Sequence, residues 1–242
     1  LAEARARHRT PRTKMIWLES EAAARFEGQD LPAAVADAIR ACVDLLTEPP
    51  PKGPANNFGL AALGKWAELV AQPSARRGRP PAFAAPAHLY AALQETYIAI
   101  EHRGSGGGAA RPLYADFLTE AADILDKPAL LDAARLYQAA GQRWRDVAAA
   151  ALPSSVEPLG EVRQLIDESR ALFKQRGNDG WREMQHIAEQ LETLQSDIVH
   201  EFPLDDGGRS ELLAGLRDCI EDLRKAETEA ARALRDAIAQ GG

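Results

Sequence analysis

The residues whose types and spacing could do chemistry are concentrated between positions 101 and 112, where the chain reads Glu-His-Arg-Gly-Ser-Gly-Gly-Gly-Ala-Ala-Arg-Pro. The loop in this stretch is formed by Gly104, Ser105, Gly106, Gly107 and Gly108. Glycines adopt positive φ values and let the backbone approach another group closely. Because a predicted helix starts near Pro112, free backbone N–H groups and the helix dipole would favour an anion here. Arg111 adds positive charge, so we expect either a phosphate or carboxylate site or a flexible connector.

Neither of two common phosphate-binding fingerprints matches this loop. A P-loop requires Lys and then Ser or Thr after its glycines, and a dinucleotide-binding turn requires a preceding strand. Here Ala109 and Ala110 follow the glycines, and the segment before them has a helical period. On the residues alone, both interpretations of the loop stay open.

Three polar residues near the loop could take part in proton transfer only in a suitable setting. Asp116 and Glu120 lie four residues apart on one predicted helix face, which is usually a solvated face. A general acid and base pair would need a pocket around them. His102 ends a predicted helix, where the dipole favours an imidazolium, and this position favours a structural role.

The thiols and histidines indicate no catalytic or metal site. The only cysteines are Cys42, which lies mid-helix beside Val43, and Cys219, which lies in an apolar stripe; packing is the usual role of both. Two thiols are too few for a disulfide framework or a four-thiolate zinc site. The five histidines show no metal-ligand spacing. We therefore expect no catalytic residue, no metal and no bound cofactor in this chain.

Net charge and hydropathy argue against two classes of partner. The formal charge is -7 and the isoelectric point is near 5.4, whereas a nucleic-acid interface needs a basic face. No apolar run approaches the roughly 20 residues that span a bilayer. Together with the two thiols, these features predict a cytoplasmic protein without nucleic-acid or membrane partners. The chain starts without Met, and we expect it to be a piece of a longer protein.

Helical periodicity dominates from residue 30 onward, because apolar residues recur every three or four positions. We predict an all-α fold, a bundle of about seven to eight helices with at most one short strand, at residues 15–18. Residues 1–29 would form a basic junction segment containing that strand. Residues 30–152 would form a helical domain with the glycine-rich loop, and residues 153–242 would form amphipathic helices packed on it.

Individual residues predict how these helices start and pack. Asp30 is expected to cap the first helix. Gly141, inside a later helix, indicates close helix packing. Apolar residues at 184–198 recur in alternating steps of three and four, a pattern that we term the seam. The seam is followed by a turn at residues 202–208 and a long last helix. Together these features predict a C-terminal antiparallel helical hairpin.

Three sequence blocks resemble a known family. The first runs from Arg103 to Gly108 and continues as Arg-Pro-Leu-Tyr-Ala-Asp-Phe-Leu-Thr-Glu-Ala-Ala over residues 111–122. The second contains residues 56–59 and 64–66, and the third spans residues 136–144. Over roughly residues 15–152, the chain is similar to the C-terminal helical domain of proteins similar to butirosin biosynthesis protein H.

The resemblance implies a part in acyl transfer during bacterial natural product biosynthesis. Members of that family begin with a papain-like domain bearing the catalytic cysteine and histidine. Their type activity moves an acyl group from the phosphopantetheine thioester of an acyl carrier protein to an amine of an aminoglycoside. The implied partners are therefore the chain's own N-terminal domain, an acyl carrier protein and an amine-bearing small molecule.

The resemblance also implies a ligand-binding cleft shared with the N-terminal domain. Arg111 would steady an anionic or carbonyl group, and Asp116 would take a cationic amine. The candidate residues are Gly104, Ser105, Gly106, Gly107, Gly108, Arg111, Tyr114, Asp116 and Asn57.

Two other functions stay open on the sequence. One is a non-catalytic helical interaction module, since the seam at residues 184–198 and the last helix could form a homodimer or dock a carrier protein. The other is a small-molecule binding protein in which the loop holds an anion.

Overall fold

The structure, a computed structural model, describes residues 30–49, 54–71, 83, 85–103 and 106–239. These ranges contain eight α-helices: α1 (Leu31–Thr47), α2 (Gly59–Ala71), α3 (Pro86–Glu101), α4 (Arg111–Ile124), α5 (Ala129–Ala151), α6 (Glu157–Arg176), α7 (Trp181–His200) and α8 (Asp206–Ala239). Short 3-10 helices precede α2, α4 and α7, at Ala55–Asn57, Gly108–Ala110 and Gly177–Gly180. The described ranges hold no strand, and the predicted all-α bundle is confirmed. The predicted strand at residues 15–18 lies outside the described residues.

The first helix starts as its sequence predicts. The Asp30 carboxylate accepts the backbone N–H of Ala33 at 3.2 Å, and Pro32 occupies the first turn, where its missing N–H costs nothing. A three-four spacing on the inner face then buries Val35, Ile39 and Val43. The predicted N-cap is confirmed.

Helices α5 and α8 form the centre of the bundle. Helix α8 has 34 residues, so it is about 51 Å long, and it packs along α5, α2 and α1. One apolar cluster draws on α2, α3, α5, α6, α7 and α8, and a second draws on α1, α4, α5 and α8. Because α5 and α8 contribute to both clusters, they connect the two ends of the core.

The last helices pair differently from the predicted hairpin. Helix α7 packs on α6 and α3, and the short 3-10 turn between α6 and α7 makes this pair antiparallel. Of the α7 seam, Ile187 and Ile198 are thereby buried, whereas Met184, Leu191 and Leu194 are half-buried. Helix α8 instead follows α5, because its own buried stripe matches the small-residue face of that helix.

Among the described helices, none is both long enough and apolar enough to cross a membrane.

Candidate functional site at the glycine-rich loop

The described part of the glycine-rich loop has an unusual backbone. Five consecutive residues, Gly106 to Ala110, have positive φ values of 77°, 97°, 60°, 51° and 64°. Ala109 and Ala110 carry side chains, so their left-handed conformations cost roughly 1–2 kcal/mol each. Such strain persists only where the surrounding structure enforces it. Gly104 and Ser105 lie outside the described residues.

Close backbone packing enforces the loop conformation. A Cβ on Gly108 would lie 2.8 Å from the carbonyl oxygen of Gly141 on α5. A Cβ on Gly141 would in turn lie 2.9 Å from Cδ of Pro112. The loop and the start of α4 therefore sit directly on the backbone of α5, and the close packing predicted from Gly141 is confirmed.

A buried ion pair ties the same point to α8. The Arg111 Nε donates to Glu227 Oε1 at 2.5 Å, and the Trp144 indole N–H donates to the same oxygen at 2.6 Å. The Glu227 side chain is 1% exposed and that of Arg111 is 22% exposed. Burying a carboxylate requires such compensation. Arg111 is therefore first of all a clamp between α4 and α8.

Two tyrosines extend this arrangement into what we term the buried polar cluster, which comprises Arg111, Tyr114, Tyr137, Trp144 and Glu227. The rings of Tyr114 and Tyr137 meet edge to face at 4.9 Å, and the Arg111 guanidinium lies 5.9 Å from the Tyr137 ring centroid. Among the described residues, both tyrosine hydroxyls and Glu227 Oε2 lack a hydrogen-bond partner.

Burial raises the pKa of both tyrosines well above the usual value for a phenol. The nearby Cys42 thiol raises the pKa of Tyr114 further, and the Glu227 carboxylate does so for Tyr137. Both hydroxyls therefore stay protonated and remain donors throughout the neutral range.

The remaining predicted ligand residues lie apart from this cluster. Asp116 is exposed on α4. Asn57 lies between α1 and α2, where its side-chain oxygen accepts from the Lys65 ammonium group. The glycine-rich loop packs on α3, α4 and α5 instead. The structure thus brings Gly108, Arg111 and Tyr114 together, places Gly107 beside Glu101 and Gly106 in open space, and leaves Asp116 and Asn57 outside.

Glu227 was missed from the sequence, although a signal was there. The buried stripe of α8 alternates steps of three and four, and Glu227 is its polar member among Leu213, Leu216, Ile220, Leu223, Ala230, Leu234 and Ala237. An acidic residue in an apolar stripe requires a buried partner, because an isolated buried charge is very costly. The stripe could have predicted an ion pair, though not its partner.

A second network surrounds His102 at the end of α3. Its Nε2 lies 2.9 Å from Asp167 Oδ1 on α6, and the Tyr97 hydroxyl donates to the same oxygen at 2.6 Å. Burial and Asp167 raise the pKa of Tyr97 above the usual phenol value. The structural role predicted for His102 accords with this contact, but its partner Asp167 was not anticipated.

Two concavities lie on the surface of the described residues. One, of about 730 Å³, lies at the α7–α8 connection and is lined by Asp197, Glu201 and Asp205 above the apolar Ile198 and Phe202. The other, of about 340 Å³, lies between α3, α6 and α7 beside His102.

In the described residues, the metal-ligating and thiol side chains do not converge on one site. In those ranges, no three side chains of His, Cys, Asp or Glu are grouped so that they could hold a metal ion. Burial and three neighbouring carboxylates raise the pKa of the Cys219 thiol, so that it is a weak nucleophile at neutral pH.

Comparison with known proteins adds a family but no named relative. A family model described as a domain of unknown function, DUF4872, matches residues 1–175. Neither the curated proteins nor the solved structures contain a match to the chain. The matched range includes the glycine-rich loop, Arg111, Tyr137 and Trp144, whereas Glu227 lies beyond it. Since the match spans most of the 242 residues, the chain belongs to the DUF4872 family.

Proposed function

We propose that this chain is the helical part of an acyltransferase-like biosynthetic protein. In this proposal a cysteine on a separate N-terminal domain takes an acyl group from a carrier-protein thioester and passes it to an amine. The reaction comes from the resemblance to proteins similar to butirosin biosynthesis protein H. The structural support is one observation, the strained loop of residues 106–110.

The backbone strain of the loop supports a functional surface. Two alanines in the left-handed region cost stability, and strained backbone is concentrated at active sites and ligand clamps. The loop is held on one side by Gly141 and on the other by the Arg111–Glu227 pair. A flexible connector would need neither constraint.

The start of α4 offers groups suited to an acyl donor. No side chain caps this helix, the Arg111 N–H is bonded to the Gly108 carbonyl, and Pro112 has no N–H group. The helix dipole favours an anionic or carbonyl oxygen at this end. We assign this end of α4 to the donor side of the cleft, with Arg111 holding it in position.

Asp116 is suited to the acceptor amine. It lies one turn further along α4, is exposed, and has no ion-pair partner among the described residues. A carboxylate without an ion-pair partner, exposed on the same helix as the donor site, would hold a protonated amine by a charge-assisted hydrogen bond.

The test is acyl transfer by the full-length protein with the Asp116→Asn variant. We expect the KM for the amine to rise about tenfold, since a hydrogen bond to a charged group contributes about 1.5 kcal/mol. The matched control is Asp123→Asn, which removes the same charge from an exposed site on the same helix. Equal KM values in both variants would refute the assignment of Asp116, and a full-length protein without thioester-dependent transfer would refute the proposed function.

A second candidate function, a helical interaction module without catalysis, is favoured by exposed apolar side chains at the α1–α2 connection. Leu45 is 75% exposed and Phe58 is 53% exposed. They lie near each other, because Gly59 packs against the carbonyl groups of Leu45 and Leu46. Light scattering of the isolated chain tests this candidate: a mass of 26.2 kDa indicates a monomer, and a dimer that Leu45→Glu dissociates would favour it.

A further inference from the structure

The groove between α3, α6 and α7 combines apolar walls with polar groups. Its volume of about 340 Å³ falls in the range of small-molecule sites. The walls are formed by Ile98, Ile166, Phe173, Met184 and Leu191. His102, Ser169 and Arg170 supply its polar groups. The lining therefore suits a ligand with an apolar body and one polar end.

The wall at His102 is held in place without a ligand. Asp167 Oδ1 contacts His102 Nε2 at 2.9 Å and accepts from the Tyr97 hydroxyl at 2.6 Å. The Arg163 guanidinium lies 5.5 Å from the Tyr97 ring centroid. Groups fixed by such a network need no ordering when a ligand binds, which favours affinity.

Arg170 supplies the charge that selects the polar end of the ligand. It forms no salt bridge with any residue that the structure describes, and its guanidinium lies 5.9 Å from the Phe173 ring centroid. The nearby carboxylate of Asp167 is already engaged by Tyr97 and His102. A guanidinium matches a carboxylate with two parallel hydrogen bonds. A ligand with an anionic head group would therefore complement the positive charge of Arg170 in the groove.

We propose that this groove binds an aliphatic monocarboxylate, with its chain against Ile98, Phe173 and Met184 and its carboxylate on Arg170. This site goes beyond the proposed function, because it rests on the groove alone and requires no acyl transfer. The Ser169 hydroxyl and the His102 ring lie within the same lining and provide further hydrogen-bonding groups for the head.

Titration calorimetry of the 242-residue chain with three probes tests the ligand class. Octanoate has both the chain and the charge, octan-1-ol has only the chain, and acetate has only the charge. We expect octanoate to bind about tenfold more tightly than octan-1-ol, the effect of one hydrogen bond to a charged group, and acetate not to bind at the same concentrations. Equal affinities for octanoate and octan-1-ol, or no binding of octanoate at millimolar concentration, would overturn the proposal.

Three variants locate the site. Arg170→Gln should lower the affinity for octanoate about tenfold and leave that for octan-1-ol unchanged. Arg182→Gln is the matched control, since it removes an equal charge from an exposed position on α7 outside the groove lining. Equal losses in both variants would mean that only general charge attraction is involved.

Phe173→Glu tests the apolar wall. Phe173 is 49% exposed, so a glutamate there leaves the core intact while it places a charge against the aliphatic chain. We expect binding of octanoate and octan-1-ol to be lost and the helical circular dichroism to be unchanged. Undiminished octanoate binding in this variant would show that the ligand lies elsewhere.

Discussion

The Arg111–Glu227 pair is the contact whose loss should do most damage to the bundle. Replacing Arg111 by Met leaves the Glu227 carboxylate buried with only the Trp144 N–H as a donor. Replacing Glu227 by Met leaves a guanidinium that already reaches solvent, because the Arg111 side chain is 22% exposed. The two single variants should therefore differ in cost, although each removes the same contact.

The magnitudes follow from this asymmetry. Removing one partner of a buried pair costs about 3–5 kcal/mol, and the partial exposure of Arg111 places Arg111→Met near 3 kcal/mol. Glu227→Met should cost about 1–2 kcal/mol, because water solvates the remaining arginine but the Trp144 N–H loses its acceptor. The double variant should cost less than about 2 kcal/mol, since an apolar replacement of a buried pair is often neutral and only the Trp144 N–H is left without its acceptor.

Urea denaturation followed by circular dichroism at neutral pH measures these free energies of unfolding. The four proteins of the double-mutant cycle isolate the coupling between the two side chains, which we expect to exceed about 2 kcal/mol. The matched control is Arg143→Met on α5, which breaks an exposed pair with Asp146 at 3.1 Å. This control should change stability by less than about 1 kcal/mol.

Two results would refute this account of the pair. The first is a cost of Arg111→Met no larger than that of Arg143→Met, which would mean that Glu227 is solvated. The second is a double variant as unstable as the sum of the single variants, which would mean that the two side chains act independently.

Three further predictions follow from the same contacts. Ala109→Gly should raise the free energy of unfolding by about 0.5–1 kcal/mol, because glycine adopts its φ of 51° without strain; a lower thermal midpoint would contradict this. Gly141→Ala should lower it by about 1–3 kcal/mol, since the new Cβ would lie 2.9 Å from Pro112 Cδ, whereas Gly215→Ala, which meets no atom within 4 Å, should not destabilise the protein. Burial raises the pKa of Tyr90 to about 12, so its stabilising contribution is complete below pH 10 and is lost as the pH rises toward 12. Absorbance at 295 nm should therefore show no tyrosinate at pH 10 in the folded protein. As the pH is raised, tyrosine ionisation at a lower pH than the loss of helical circular dichroism would contradict the burial of the tyrosines. The four tyrosines are Tyr90, Tyr97, Tyr114 and Tyr137.

Local features of the fold were predictable because they depend on neighbouring residues. The Asp30 cap requires only an N–H group three residues ahead, and the inner face of α1 follows from a three-four spacing. Gly141 also predicted a close approach, since a glycine inside a helix lowers stability unless another segment packs against it, as Pro112 does here.

The pairing of the last helices was not predictable in the same way. Helices α6, α7 and α8 each have an apolar stripe, and a stripe does not specify which neighbour covers it. The hairpin prediction paired α7 with the helix that follows it. The structure instead places α7 on α6 and α3, and α8 along α5, because the small residues of α5 admit a long helix at close range.

The sequence by itself determined the all-α class, the cap of the first helix and the close approach at Gly141. It also marked Arg111 as significant, but as a group for binding ligands. Only the tertiary structure showed that this arginine meets a carboxylate 116 residues further along the chain. The reason is physical: helical periodicity is a property of adjacent residues, whereas the partner of a buried charge depends on which helices the core brings together.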